Sequence, residues 1–126
     1  MSINATQHAE DVMTTPVETV SRTATVREAA ATMHDHDINS LLVADSQVGI
    51  VTSSDVLGAV ATGRHPEEVA VADVMTANVE WVEADQQLTE VAAMMNTYAI
   101  NHLPVRDRHG DYVGMVSSTD LRELLG

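Results

Sequence analysis

Val48-Gly49-Ile50-Val51-Thr52-Ser53-Ser54-Asp55 and Val113-Gly114-Met115-Val116-Ser117-Ser118-Thr119-Asp120 are one phrase written twice, at an offset of 65 (residue 113 against residue 48). Upstream the same doubling runs at an offset of 62. Asp11-Val12-Met13-Thr14 returns as Asp73-Val74-Met75-Thr76, and Val17-Glu18 and Val20 return as Val79-Glu80 and Val82. Glu28 and Met33 return as Glu90 and Met95. Ile38-Asn39, Leu41, Val43 and Asp45 return as Ile100-Asn101, Leu103, Val105 and Asp107. The step from 62 to 65 marks three extra residues around His109-Gly110-Asp111 in the second copy. A unit this small closes a poor core alone, so two copies are expected to pack on each other across a pseudo-twofold seam. Two equivalent clefts would line that seam, and function is expected there.

The boundaries read as a tail over 1–8, a first repeat over 9–63, a linker over 64–71 that includes Pro66, and a second repeat over 72–126. Within each repeat the pattern is helix, strand, helix, strand, strand, helix. The first copy places a short helix at 9–13 and an alternating strand at 17–20. Thr25 caps a helix whose Val26, Ala29, Ala30 and Met33 fall at i, i+3, i+4, i+7. Strands follow at 40–44 and 47–51, parted by an Asp45-Ser46 turn. Ser53 or Ser54 then caps a helix carrying Val56, Leu57 and Val60, with Gly63 past its end. The second copy repeats this as a helix near 72–75, a strand near 79–82 and a helix over 87–97, then strands near 102–106 and 112–116 and a helix over 119–125. Alternating short strands and helices predict an α/β sandwich of two pseudo-symmetric half-units.

Composition narrows the function. Apolar residues are 44% of 126, yet Phe is absent and Trp occurs once, so the core is aliphatic with Met33, Met94, Met95 and Met115 as fillers. Nineteen acids against six bases give a net charge of −13. All the bases are Arg. Such a surface repels nucleic acid and anionic lipid, so neither is expected as a partner. Dense carboxylate without Lys resembles the proteins of halophilic archaea, where molar salt shortens the Debye length to ~3 Å. Cys is absent, which removes disulfides, zinc thiolates and thiol nucleophiles. No signal peptide and no membrane-length apolar run is visible, so a cytoplasmic protein is expected.

The doubled phrases resemble the CBS-domain family. Asp-Val-Met-Thr opens each copy, and Asn39-Ser40-Leu41-Leu42-Val43 and Asn101-His102-Leu103-Pro104-Val105 match the family's central strand. The ending Gly-aliphatic-aliphatic-Thr/Ser-x-x-Asp stands at 49–55 and 114–120. The resemblance covers residues 9–125 and is that of a stand-alone tandem pair, a Bateman module. It implies a non-enzymatic sensor of adenosyl ligands that needs no cofactor, dimerises, and signals to an effector protein.

By that resemblance one site joins Val79, Glu80, Ile100, Asn101 and His102 with Thr52, Ser54 and Asp55. The other joins Val17, Glu18, Ile38, Asn39 and Ser40 with Ser117, Thr119 and Asp120. Ile38 and Ile100 would sandwich adenine, and the aspartates would accept hydrogen bonds from the ribose diol. The hydroxyl and bare N–H groups at each helix start suit a phosphate. Gly49 and Gly114 would let the backbone approach a ligand. A plainer reading stays open for each residue alone: Asp55 and Asp120 as acids at helix N-termini and the serines as caps.

Bases near the sites are few. His102 has Ser40 as its counterpart, and only Arg64 or Arg106 are candidates to turn inward. That favours AMP, or S-adenosylmethionine, over ADP or ATP unless magnesium accompanies the phosphates. The apolar faces Val56/Leu57/Val60 and Leu121/Leu124/Leu125 are expected homodimer surfaces. His34-Asp35-His36-Asp37 reads as a solvated helix end and not a metal site, because His34 and His36 diverge around a helix. No nucleophile elbow, Walker A or GxGxxG motif occurs. The charge carries its own prediction: the melting temperature should climb between low salt and molar KCl, and a melting temperature indifferent to KCl would contradict the salt-adapted reading.

Overall fold

A computed structural model describes residues 7–125. Its elements are α1 (Ala9–Val12), β1 (Thr19–Ser21), α2 (Val26–His36), β2 (Ser40–Ala44), β3 (Gly49–Thr52) and α3 (Ser53–Ala61), then a single 3-10 turn (Val71–Asp73), β4 (Val82–Glu83), α4 (Leu88–Tyr98), β5 (His102–Arg106), β6 (Tyr112–Ser117) and α5 (Ser118–Leu125). The α/β order of two repeated half-units is therefore as expected, with local corrections. The first strand of each copy starts later than the alternation suggested, leaving Val17, Glu18, Val79 and Glu80 in the approach to it. The helix expected at 72–75 is the 3-10 turn. Residues 1–6 of the expected tail lie outside the described residues. Gln7 and His8 are not tail: Gln7 carbonyl accepts from Leu88 N at 3.0 Å, and His8 bridges to Gln87.

Each copy builds one three-stranded sheet. In the first, β1 runs parallel to β2 and β2 antiparallel to β3; in the second, β4 runs parallel to β5 and β5 antiparallel to β6. The central strands are buried through Leu41, Leu42 and Val43, and through Leu103, Pro104 and Val105. Helices cover them with Val26, Ala29 and Met33, and with Leu88, Val91 and Met95. These apolar positions fall at helical spacing, so one stripe of each helix meets its sheet.

The compact units do not follow the repeat boundaries. One unit is Glu18–Val79; the other joins the chain up to Val17 with the chain from Glu80 onward. The opening Asp-Val-Met-Thr segment of each copy packs on the sheet of the other. Thr14 N donates to Met115 O at 2.8 Å, and Met115 N donates back to Thr14 O at 3.1 Å. In the other unit, Thr76 and Ile50 exchange the same two bonds, each at 2.9 Å. Ala9 N→Gln86 O and Glu10 N→Ala84 O match Val71 N→Ala24 O and Ala72 N→Arg22 O, all at 2.8–3.0 Å. Ala9 and Val71 are fully buried where they land.

Gly49 and Gly114 take their meaning from this exchange. A Cβ on Gly114 would stand 2.6 Å from Met13 Sδ and 3.0 Å from Met13 Cβ. One on Gly49 would stand 2.9 Å from Thr76 O and 3.2 Å from Met75 Sδ. Both glycines are buried under a methionine, so the expectation that they clear space for a ligand is corrected. They clear space for the arriving segment.

Gly114→Ala should therefore destabilise the fold by about 1–3 kcal/mol, the usual penalty for overpacking. Gly58→Ala, on α3 with nothing within 4 Å of the added carbon, should be neutral or stabilising by up to ~1 kcal/mol. Thermal melts of the two variants check the pair; equal effects would contradict the packing role.

Candidate functional site

In each unit the antiparallel hairpin turns a strand start and a helix start into neighbours. Ser40 pairs with Thr52 across β2–β3, and His102 pairs with Ser117 across β5–β6. The residue before each strand is tied to the first helical residue. Asn39 O accepts from Ser53 N at 3.0 Å, and Asn101 O accepts from Ser118 N at 2.8 Å. The grouping expected from sequence joins a strand start of one copy with the helix start of the other; the strand pairings observed lie inside each copy. The hairpin register sets each ending beside its own central strand.

The turn into each strand start is held by a left-handed residue. Asp37 (φ 53) ends α2 and Ala99 (φ 53) ends α4. Past them, Ile38 N returns to Met33 O at 2.9 Å and Ile100 N to Met95 O at 3.0 Å. That closes the helix carbonyls in the manner of a Schellman cap and delivers Ile38 and Ile100, both half-buried, to the mouth of the hairpin. Asn39 and Asn101 are exposed; Ser40 and His102 are half-buried, with His102 Nε2 shut off from water.

The helix starts are capping boxes. Asp55 N donates to Thr52 Oγ1 at 3.4 Å, while Thr52 N and Thr52 Oγ1 donate to Asp55 Oδ2 at 2.8 and 3.1 Å. In the second copy Asp120 N donates to Ser117 Oγ at 3.2 Å and Ser117 N to Asp120 Oδ2 at 2.8 Å. The cap of α3 is thus Thr52, one residue earlier than the Ser53 or Ser54 expected, because Thr52 still has extended backbone (φ −122) when its side chain reaches the third helical N–H. Ser54 and Thr119 are first-turn residues, Ser54 exposed and Thr119 exposed enough to meet Arg122.

Both aspartates serve their own helices, as the plainer reading held. All of that work falls on Oδ2. Among the described residues Oδ1 of Asp55 and Oδ1 of Asp120 accept nothing. Each carboxylate is pinned in direction yet keeps one acceptor oxygen beside the one first-turn N–H left without a partner among the described residues, that of Ser54 or of Thr119. Such a corner can take an anion on that amide and a hydroxyl on the acid.

The remaining candidates divide between the units. Glu18 and Val79 join the first copy's group: Glu18 O accepts from Leu42 N at 3.0 Å, and Val79 N donates to Val48 O at 3.2 Å. Glu18 also brings its carboxylate 3.8 Å from His36 Nδ1. Val17 and Glu80 belong to the other unit, Val17 half-buried and Glu80 exposed. Neither of the two arginines named as candidates to turn inward does so. Arg64 is exposed beyond α3. Arg106 stacks on Trp81 at the end of β5 opposite to His102. The base that reaches toward a helix start is Arg122, in the last turn of α5, whose Nη2 donates back to Thr119 Oγ1 at 3.3 Å. Its i, i+3 spacing from Thr119 is the signal in the sequence that could have found it.

A CBS-domain model matches residues 9–62 and again 71–126, and the chain belongs to the CBS-domain family. It is 34% identical over 112 residues to an uncharacterized protein, MK0525, of Methanopyrus kandleri, covering 86% of this chain and 57% of that one. It is 33% identical over 120 residues to the L-aspartate semialdehyde sulfurtransferase of Methanocaldococcus jannaschii, covering 93% of this chain and 23% of the enzyme. Among solved structures it superposes on the CBS domain pair of protein MJ0100, in complex with 5′-methylthioadenosine and S-adenosyl-L-methionine. That match has a TM-score of 0.82 and 31% identity, and covers 95% of this chain and 96% of that one. CBS pairs are ligand-binding modules and not catalysts; the sulfurtransferase's name belongs to a longer protein of which this chain matches a fraction.

Proposed function

We propose that the chain is a regulatory module that binds an adenosyl ligand and passes the signal to a partner by population shift. The observation that carries this reading is the twice-built corner: a capped helix start whose aspartate keeps Oδ1 available, beside the first residue of its own central strand. The MJ0100 pair, alike over nearly its whole length, was crystallised with two adenosyl compounds. In this chain Ile38 and Ile100 are assigned to the base, Asp55 and Asp120 to the ribose diol, and the amides of Ser54 and Thr119 to the group carried on the ribose 5′ carbon.

The corners are not equivalent. The second has His102 and Arg122; the first has Ser40 and no Arg bonded at its helix start. An AMP-like monophosphate suits the second corner. The first suits a ligand of less negative charge, such as S-adenosylmethionine. ATP without magnesium is disfavoured at both by a net charge of −13. Homodimerisation is assigned to α3, where Leu57 is 70% and Val60 51% exposed. The matching expectation for α5 is corrected in part. Leu121 is buried in its own core, Leu124 is half-buried, and the side chain of Leu125 lies outside the described residues.

Calorimetry with AMP, ADP, ATP with magnesium, 5′-methylthioadenosine and S-adenosylmethionine tests the assignment. Asp→Asn variants keep an acceptor for the capping N–H while removing the charge. Asp120→Asn should weaken AMP roughly 10–100-fold, the loss of a charged hydrogen bond of about 1.5–3 kcal/mol. Asp55→Asn should leave that binding intact. Silence of the unsubstituted chain with the whole panel, or unchanged heat in the double variant, would leave the aspartates as helix caps only.

A further inference from the structure

Four residues of the second copy depart together from the first. Trp81, Arg106 and Tyr112 stand where the first copy has Thr19, Ala44 and Gln47, and Gly110 belongs to the three-residue insertion. In the fold they converge. Arg106 Cζ lies 4.3 Å from the centroid of the Trp81 ring and 5.5 Å from that of Tyr112. Arg106 Nε donates to Gly110 O at 3.2 Å. Gly110 takes a left-handed φ of +84 that favours glycine, and a Cβ there would stand 2.8 Å from Arg106 Nη2, so the guanidinium would have to shift. The first copy builds the same sheet order without any of them. The repeat is thus its own control, and this stack answers to something other than the fold.

The stack walls an open cleft of about 580 Å³, a size that accommodates a small ligand or an anchoring side chain. Trp81, the one Trp of the chain, is 39% exposed. Glu10, Glu83, Asp85 and Asp107 line the same cleft together with Arg106 and Arg108. Among the described residues none of the four is in an ion pair. Asp107 is held below the usual carboxylate range by the backbone N–H of Asp111, with His109 N–H adding to it. Arg106 keeps its charge on the rings and the carbonyl, but with Arg108 it sets two guanidiniums against four acids, so the cleft stays net negative. The cleft sits at the far end of the five-residue strand β5 from His102, about 13 Å away at ~3.3 Å per residue, and so is separate from the adenosyl corner.

One cation already rests on Trp81, the Arg106 guanidinium, and what stays exposed of the indole lies beside acids outside any ion pair, a setting that receives a further guanidinium or ammonium. We propose that this cleft takes an arginine or lysine side chain from a basic segment of a partner protein. A free small cation gains little in an open, hydrated cleft; a side chain carried on a partner adds the contacts of its neighbours and is drawn in by the protein's overall negative charge.

Trp81 is its own reporter. A blocked peptide of arginines spaced by glycine, added to the intact chain at low salt, should shift Trp81 emission along a saturable curve. The lysine twin should follow, and the twin with neutral citrulline should not. Glu83→Gln with Asp85→Asn, both exposed positions, should raise the half-saturation roughly tenfold while leaving the melting temperature and the calorimetry with AMP unchanged. No saturable shift at millimolar peptide would overturn the proposal, as would an equal response to citrulline or in the double variant. Free arginine amide binding as tightly as the peptide would overturn the partner as the source.

Discussion

A methionine laid on a glycine, twice, is the contact on which the rest of this structure depends. Met13 covers Gly114 and Met75 covers Gly49, each from the opening segment of the opposite repeat. The paired backbone bonds of Thr14 with Met115 and of Thr76 with Ile50 fix the register of that contact. Either half-unit alone would lack the piece that closes its sheet. Ala9 and Val71, both with no exposure, show how deep the donated segments go. Apolar burial is the largest favourable term available to a chain without Phe. The exchange lets two small cores share it.

The candidate corners depend on the same strands. With β3 and β6 anchored from outside, each antiparallel hairpin holds its strand start against the following helix start. The left-handed turns at Asp37 and Ala99 bring Ile38 and Ile100 just ahead of those strands, where both pack partly on the adjacent core. The aspartate stabilises its helix through Oδ2 and offers Oδ1. A residue doing both is preorganised for binding, because its rotamer is already fixed before any ligand arrives.

Much of this is written in the repeat. Element order, the α/β class, the buried faces of α2 and α4 and the landmark aspartates all come from two copies in register. Three kinds of feature escape it. Period and spacing report a close approach at Gly49 and Gly114 without naming the approaching group, so a ligand and a methionine from the opposite copy look alike in sequence. The cap falls on Thr52 instead of Ser53 or Ser54: all three carry a capping hydroxyl, but only Thr52 has an acid three residues on, Asp55, to close the box, a spacing that a reading by hydroxyl alone passes over. Sequence does not state which residues of a copy face each other across its hairpin; the register does, setting Ser40 beside Thr52 and His102 beside Ser117. Arg122, in contrast, is legible in principle, since its spacing from Thr119 marks it out ahead of Arg64 and Arg106.

The exchange of opening segments is open to a direct measurement, amide hydrogen exchange on the intact chain. The account predicts that the N–H groups of Thr14, Ile50, Thr76 and Met115 are protected to the same degree as those of Val51 and Val116 inside the hairpins, and open together with them. Rapid exchange at Thr14 and Thr76 while the hairpins stay protected would show the opening segments to be loosely attached, and would contradict it.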